Sequence, residues 1–232
     1  MAWAYRTPYL ALFGLLCCAG WVWVLLLVVS HRWGGDRGLW WGLEAAVKVV
    51  LAAGLLESTY SLVGLTDNAA GPPLLLVRLF LLWAVASPSP AVQESRFLAL
   101  ACVCWGVQEV PRLLLDCLDL LASAPYALFW LRHSLFVTVH PLSVMGEAGC
   151  VFAAAVACMG EGGLGGLSSL PLASLAYLSL LLLVSALYVP TVPSTYVNMH
   201  RMRRKQLHIY KKQNTRRAEA QKYRSSGVRK TE

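Results

Sequence analysis

Apolar residues run in blocks near twenty long through most of the chain, each closed by a short cluster of charged, Gly or Pro residues. A run of that length suits the roughly 20 residues with which a helix crosses about 30 Å of hydrocarbon. A helix on a soluble domain would instead turn a polar face to water. The pattern predicts six helices. The first covers about 10–30; it is longer than a typical signal-peptide core and lacks a convincing small-x-small cleavage site, so it stays as a span. His31-Arg32-Trp33-Gly34-Gly35-Asp36-Arg37 ends it, and Trp33, Trp40 and Trp41 suit the headgroup zone. The second runs over about 39–65, and because it carries Glu44, Lys48 and Glu57 it cannot face lipid all round.

The breaker-rich stretch Thr66-Asp67-Asn68-Ala69-Ala70-Gly71-Pro72-Pro73 leads to a short third helix, about 74–86, interrupted only by Arg78. Ser87-Pro88-Ser89-Pro90 makes the next loop, and the fourth helix follows over about 93–121, with Pro111 marking a kink. The fifth, about 125–158, is long enough to cross with some tilt or a break at Pro141. Glu161-Gly162-Gly163-Leu164-Gly165-Gly166 reads as a flexible loop, without the Lys-Ser/Thr of a phosphate loop. A sixth helix covers about 170–196, with Pro190 and Pro193 near its end. The fold class is therefore all-α: a polytopic membrane protein whose six transmembrane helices enclose an intramembrane pocket, over 1–199, followed by a basic tail at 200–232.

Composition supports lipid as the main solvent. Hydrophobic residues make up 57% of the 232 and charged residues only 14%, against about 25% charged in ordinary soluble domains. The net charge of +8 changes meaning once it is located. From His200 onward there are twelve Lys or Arg and two acids, which leaves eight bases and ten acids before it. All the positive excess sits in the tail, with few aromatics, so attraction to anionic lipid explains it better than nucleic acid. Arg201, Arg203, Arg204 and Lys205 follow the last span closely, which places both termini in the cytosol by the positive-inside rule. The seven cysteines sit mostly in apolar runs without metal-ligand spacing and read as small apolar filler, so no metal is expected.

Ionisable groups inside a bilayer cost a few kcal/mol each on insertion scales, so a cluster of them marks a candidate site. His133, His140 and Glu147 recur at intervals of seven, within about 20° of one helical face and about 10.5 Å apart along it. The alternative is a polar stripe that only fixes helix packing. Glu109, Arg112, Asp116 and Asp119 recur at steps of three and four on the fourth helix, either a polar wall for a ligand or a self-neutralising ion network. Glu44 and Lys48 are spaced to neutralise each other, Glu57 needs a partner from another helix, and Arg78 is expected to snorkel to a headgroup.

These residues resemble a known family. Tyr9-Leu10-Ala11-Leu12-Phe13 with Ala19-Gly20-Trp21, Leu56-Glu57 with Ser61-Leu62-Val63-Gly64-Leu65, and Trp105 through Glu109 to Arg112 look like the very-long-chain (3R)-3-hydroxyacyl-CoA dehydratases, also called the protein tyrosine phosphatase-like family. So do Leu131-Arg132 leading to Pro141-Leu142-Ser143-Val144-Met145-Gly146-Glu147, and Tyr188-Val189-Pro190 leading to Met199-His200 and Arg203-Arg204-Lys205. The resemblance implies a six-helix enzyme of the endoplasmic reticulum membrane. Its reaction removes water from 3-hydroxyacyl-CoA to give trans-2-enoyl-CoA, the third step of fatty acid elongation. It needs no cofactor and works beside the elongases and reductases of that cycle.

The family's catalytic pair is a Tyr and a Glu in a Tyr-Pro-x-Gly-x-x-x-Glu pattern. Glu147 matches the Glu, but His140 stands for the Tyr and Ser143 for the Gly; His133 and Leu113 replace two further tyrosines. Dehydration needs a base for the proton beside the thioester carbonyl and an acid for the leaving hydroxyl. A neutral imidazole is a better-matched base than a phenol. The expected roles are His140 as base and Glu147 as acid, with Arg112, Arg132, Glu109, His133 and Glu57 as substrate-binding residues and the tail helping to draw in the anionic CoA. The alternatives are a catalytically impaired scaffold of the elongation complex, or a small transporter with a polar path. The final Arg229-Lys230-Thr231-Glu232 resembles a dibasic retrieval signal of the endoplasmic reticulum.

Overall fold

The first helix buries one side and exposes the other, yet both sides are apolar. Trp21, Val24 and Val28 face inward, while Leu12, Leu16, Trp23, Leu26 and Val29 face out. A helix greasy all round is what lipid selects. The computed structural model describes residues 2–31, 37–62, 72–120, 125–160 and 171–228, and no strand occurs among them. The order is α1 (Ala2–Ser30), α2 (Arg37–Leu62), α3 (Pro72–Phe80) continuing as a π-helical turn (Leu81–Ala86), α4 (Pro90–Gln93), α5 (Arg96–Leu120), α6 (Tyr126–Gly160) and α7 (Leu172–Val228). Four stretches among the described residues are long and apolar enough to cross a membrane: Pro8–Ser30, Arg96–Leu120, Tyr126–Gly160 and Leu172–Lys212. Leu75–Ala86 is a shorter apolar helix.

The chain forms two compact units, Met1–Pro190 and Thr191–Glu232. In the first, α5 packs against α1 on one side and α6 on the other, and α2 packs on α1. The core is drawn from all of them: Val24 and Val28 of α1, Leu43, Val47 and Leu51 of α2, Leu81, Leu82 and Val85 of the π turn, Cys102 and Trp105 of α5, and Cys150 and Ala154 of α6. Cysteine does serve as filler there, since all seven thiols are free and six are buried. In the second unit, the Tyr196 and His200 rings meet edge to face with centroids 4.8 Å apart.

Several boundaries differ from the pattern's prediction. The third apolar block is two pieces, α3 and a π turn, because Pro88 and Pro90 cannot donate to the carbonyls behind them. Other groups satisfy those carbonyls: Tyr177 Oη donates to Ala84 O at 2.9 Å, and Gln93 Nε2 to Ala86 O at 3.1 Å and Ser87 O at 3.0 Å. Gln93 therefore closes the short α4 rather than opening the fourth long helix. That helix starts at Arg96, where Ser95 Oγ accepts from the Phe97 N–H at 3.1 Å. Pro141 does not break α6, and α7 continues through Pro190 and Pro193 to Val228 instead of stopping near 196. The predicted loops at 32–36, 66–71 and 161–166 and the C-terminal motif at 229–232 lie outside the described residues.

The tightest helix contact is between α5 and α6. A Cβ placed on Gly146 would lie 2.8 Å from the backbone N and 3.1 Å from the Cα of Ala101, and 3.1 Å from the Phe97 carbonyl oxygen. Small residues admit such backbone approach between membrane helices. All three neighbours are backbone atoms, and none can swing away. Gly146→Ala is therefore expected to cost about 1–3 kcal/mol and to lower the thermal unfolding midpoint in detergent. Gly160→Ala, where a Cβ meets nothing within 4 Å, leaves the midpoint unchanged.

Candidate active site

Gly146 is the step before Glu147, so the close helix contact also presses that carboxylate into the bundle. Glu147 is 8% exposed, and three groups from three elements hold it. Trp105 Nε1 of α5 donates to its Oε1 at 2.8 Å. Ser143, one turn back on α6, donates its hydroxyl to the same oxygen at 2.9 Å. Tyr188 of α7 donates to Oε2 at 3.0 Å. Trp105 is fully buried and Ser143 nearly so, whereas Tyr188 is half-buried. His140 is buried on the same face of α6, seven residues before Glu147.

A second cluster joins four helices. The Arg112 guanidinium of α5 makes a two-pronged contact with Glu57 of α2, its Nη2 donating to Oε2 at 2.8 Å. Its Nε donates to Glu109 Oε2 at 2.7 Å, and its Nη1 lies 3.6 Å from Asp116 Oδ2. Arg78 of α3 donates to the other Glu109 oxygen, and Arg132 of α6 donates to Asp116. Three guanidiniums thus face three carboxylates. In apolar surroundings each lone charge costs several kcal/mol, and mutual pairing offsets that cost. Arg112 and Arg132, expected beside an anionic ligand, are taken up by the protein's own carboxylates.

Arg78 corrects a prediction. Its side chain does not reach for headgroups; at 6% exposure it is buried, because Glu109 offers a nearer anion. Its Cζ also lies 5.7 Å from the centre of the Trp105 ring, a cation–π approach. That contact links the ion network to the group that holds Glu147. His133 is tied to its own helix: its Nδ1 donates to Phe129 O at 2.8 Å. Glu44 and Lys48 do pair on α2, with the Lys48 ammonium 5.8 Å from the Trp83 ring centre. A surface groove of about 740 Å³ opens elsewhere, between the end of α5 and the start of α6, lined by Leu114, Leu118, Tyr126, Trp130 and their neighbours. None of the expected site residues lines it.

Comparison with known proteins bears on this arrangement directly. The family model described as "Protein tyrosine phosphatase-like protein, PTPLA" matches residues 51–209. The chain belongs to this family. The matched segment contains both the Glu147 cluster and the ion network. Among curated relatives, very-long-chain (3R)-3-hydroxyacyl-CoA dehydratase 1 of Mus musculus is 28% identical over 207 residues, covering 87% of this chain and 74% of its own. Dehydratase 2 of Homo sapiens is 29% identical over 205 residues, covering 86% and 80%. The hpo-8 dehydratase of Caenorhabditis elegans is 28% identical over 206 residues, covering 85% and 93%. No solved structure matches. The resemblance read from the motifs is thus the chain's actual kinship.

Sequence reasoning named Glu147 but not its three donors. Ser143 was findable, because a hydroxyl four residues before a carboxylate shares its helical face. Trp105 and Tyr188 were singled out only as members of the family-like segments, not as partners of Glu147. Nothing local connects Tyr188 to a residue 41 positions earlier. The ion network supplies a test of packing. Arg78→Met leaves one Glu109 oxygen buried without its cation and is expected to destabilise by about 3–5 kcal/mol. In a double-mutant cycle read by thermal unfolding, Arg78→Met with Glu109→Gln should melt above Arg78→Met alone. A double variant that melts lowest would mean that the pair is not coupled.

Proposed function

We propose that this protein is a 3-hydroxyacyl-CoA dehydratase that acts on very long acyl chains, with Glu147 and His140 as its acid and base. The observation that carries the reading is the buried Glu147 carboxyl, fixed by Trp105, Ser143 and Tyr188 on the face of α6 that His140 shares. The names of the family's relatives agree with it. In the transporter reading that carboxyl has no need of three fixed donors.

The division of labour follows from hydrogen-bond capacity. Trp105 Nε1 is only ever a donor, and with Ser143 it occupies Oε1. A proton on the carboxyl can sit on either oxygen, because the hydroxyls of Ser143 and Tyr188 can each accept as well as donate. His140, as a neutral imidazole, takes the C2 proton of the substrate, which the thioester carbonyl acidifies. The C3–O bond breaks, the electron pair of the C2–H bond becomes the C2–C3 double bond, and the hydroxyl leaves as water with a proton that originates on Glu147. Base and acid act on adjacent carbons, so substrate placement decides the rate; an error of about 1 Å costs about a hundredfold.

The membrane frame belongs to the same proposal. Six crossings arise if α2 and the α3–π segment span along with the four long apolar stretches, which leaves 1–199 as the catalytic domain and 200–232 as a cytosolic basic tail. A site enclosed between helices keeps the acyl chain in lipid-like surroundings. The paired state of Arg112 and Arg132 leaves Arg201, Arg203, Arg204 and Lys205 as the better candidates to attract the CoA phosphates. Residence in the endoplasmic reticulum beside elongases and reductases completes the reading.

Purified protein in nanodiscs, given a very-long-chain (3R)-3-hydroxyacyl-CoA, is expected to form the trans-2-enoyl-CoA. His140→Ala and Glu147→Ala should each lower kcat by about a hundredfold or more. Variants as active as the wild type would place the chemistry elsewhere. An inert wild type whose His140→Tyr variant is active would identify an impaired scaffold instead.

A further inference from the structure

Of the three groups that hold Glu147, Ser143 and Tyr188 are hydroxyls, which can donate or accept and so can follow the carboxyl through either protonation state. Trp105 cannot. Its indole N–H only donates, 2.8 Å from Oε1, so it suits the carboxylate that remains once a proton has left. A donor of this kind assists a reaction when it is aimed beforehand at the atom where charge develops. Whatever aims the indole is therefore part of the site.

Trp105 is fully buried, and the Arg78 guanidinium stands over its ring, with Cζ 5.7 Å from the ring centre. Arg78 is buried as well, and Glu109 holds it by an ion pair. Both ends of the ring contact are thus shielded from water, where a cation over an aromatic face is attracted most strongly. Glu109 follows Trp105 by four residues on α5, so one face of that helix offers Arg78 of α3 both a carboxylate and a ring. Neutralising Glu109 would be served by any approach to its oxygens. This approach also lays the guanidinium over the indole that donates to Glu147.

Resting on the dehydratase reading, we propose that Arg78 is a positioning residue for Glu147: by holding the Trp105 ring it keeps the indole N–H aimed at Oε1 while the carboxyl gives up its proton. Arg78 acts through the indole, since its own hydrogen bond goes to Glu109. The short helix α3 thereby takes part in the chemistry.

The rival role is purely structural, with Arg78 serving only as the cation for Glu109, and the two roles part company when Glu109 is neutralised. Arg78→Met, Trp105→Phe and their combination are made both in the wild-type chain and in a Glu109→Gln chain, where loss of the guanidinium strands no buried carboxylate. Running both series means that neither a misfolded Arg78→Met nor a slow Glu109→Gln hides the effect. All are assayed in nanodiscs with a 3-hydroxyacyl-CoA, below their unfolding midpoints. Adding Arg78→Met to Glu109→Gln is expected to lower kcat about tenfold, as a modest loss of aim does, with KM within about twofold. With Trp105→Phe already present, Arg78→Met should change kcat by less than about twofold, because a residue that acts through the indole has nothing left to act on. An unchanged kcat in the Glu109→Gln chain would reduce Arg78 to a charge partner and overturn the proposal. A loss confined to KM would overturn it too, and so would equal losses with and without Trp105. A wild type inert on the substrate would instead sink the dehydratase reading, and the positioning role with it.

Discussion

A charge surrounded by apolar side chains must find an opposite charge, and this requirement organises the bundle. Glu57, Arg78, Glu109, Arg112, Asp116 and Arg132 come from α2, α3, α5 and α6, and their pairing ties those four helices at one level. The network is not a large source of net stability, since desolvation offsets much of the attraction. Its force is negative. Any arrangement that separated Arg112 from Glu57, or Arg78 from Glu109, would leave charges uncompensated and so be excluded.

The same requirement reaches the site. Arg78, held by Glu109, lies over the Trp105 ring, and the N–H of that indole donates to Glu147. One α5 side chain therefore connects a neutralised ion cluster to a single carboxyl. The approach of α6 to α5 at Gly146 sets the distance over which this works, because a larger residue there would move Glu147 away from Trp105. Glu147 is then fixed from the α5 side by Trp105 and along its own helix by Ser143, while α7 contributes the more accessible Tyr188. Two of the three partners are buried and the third, Tyr188, is half-buried.

The departures from the family's site motif become intelligible in this frame. Ser143 stands where the motif has Gly, and its hydroxyl fills a lone pair of Glu147 Oε1. His140 stands where the motif has Tyr, so no phenol comes from that position of α6. A phenol does lie beside Glu147, that of Tyr188 on α7, in one of the segments shared with the family. The chain thus brings together a carboxyl, an imidazole and a phenol, although they do not all lie on one helix.

Much of this was readable along the chain. The apolar blocks announced the helices, because lipid demands long greasy runs. The seven-residue spacing put His140 and Glu147 on one face, because α-helical geometry is local. The Glu44–Lys48 pair followed from the same geometry, and Glu57 announced the need for a distant partner without naming it. Arg78 was misjudged as a headgroup-seeking residue, since hydropathy cannot tell which of two anions, a lipid phosphate or Glu109, lies nearer. The end of the last helix was misplaced because proline propensity is weaker than the continuity of the turns around it. The sequence by itself determined the helical class, the apolar faces and the residues that share a face of α6. Only tertiary structure decided that Arg112 meets Glu57, that Trp105 and Tyr188 meet Glu147, and that Gly146 must be small, because those contacts lie between residues tens of positions apart, where no periodicity carries information.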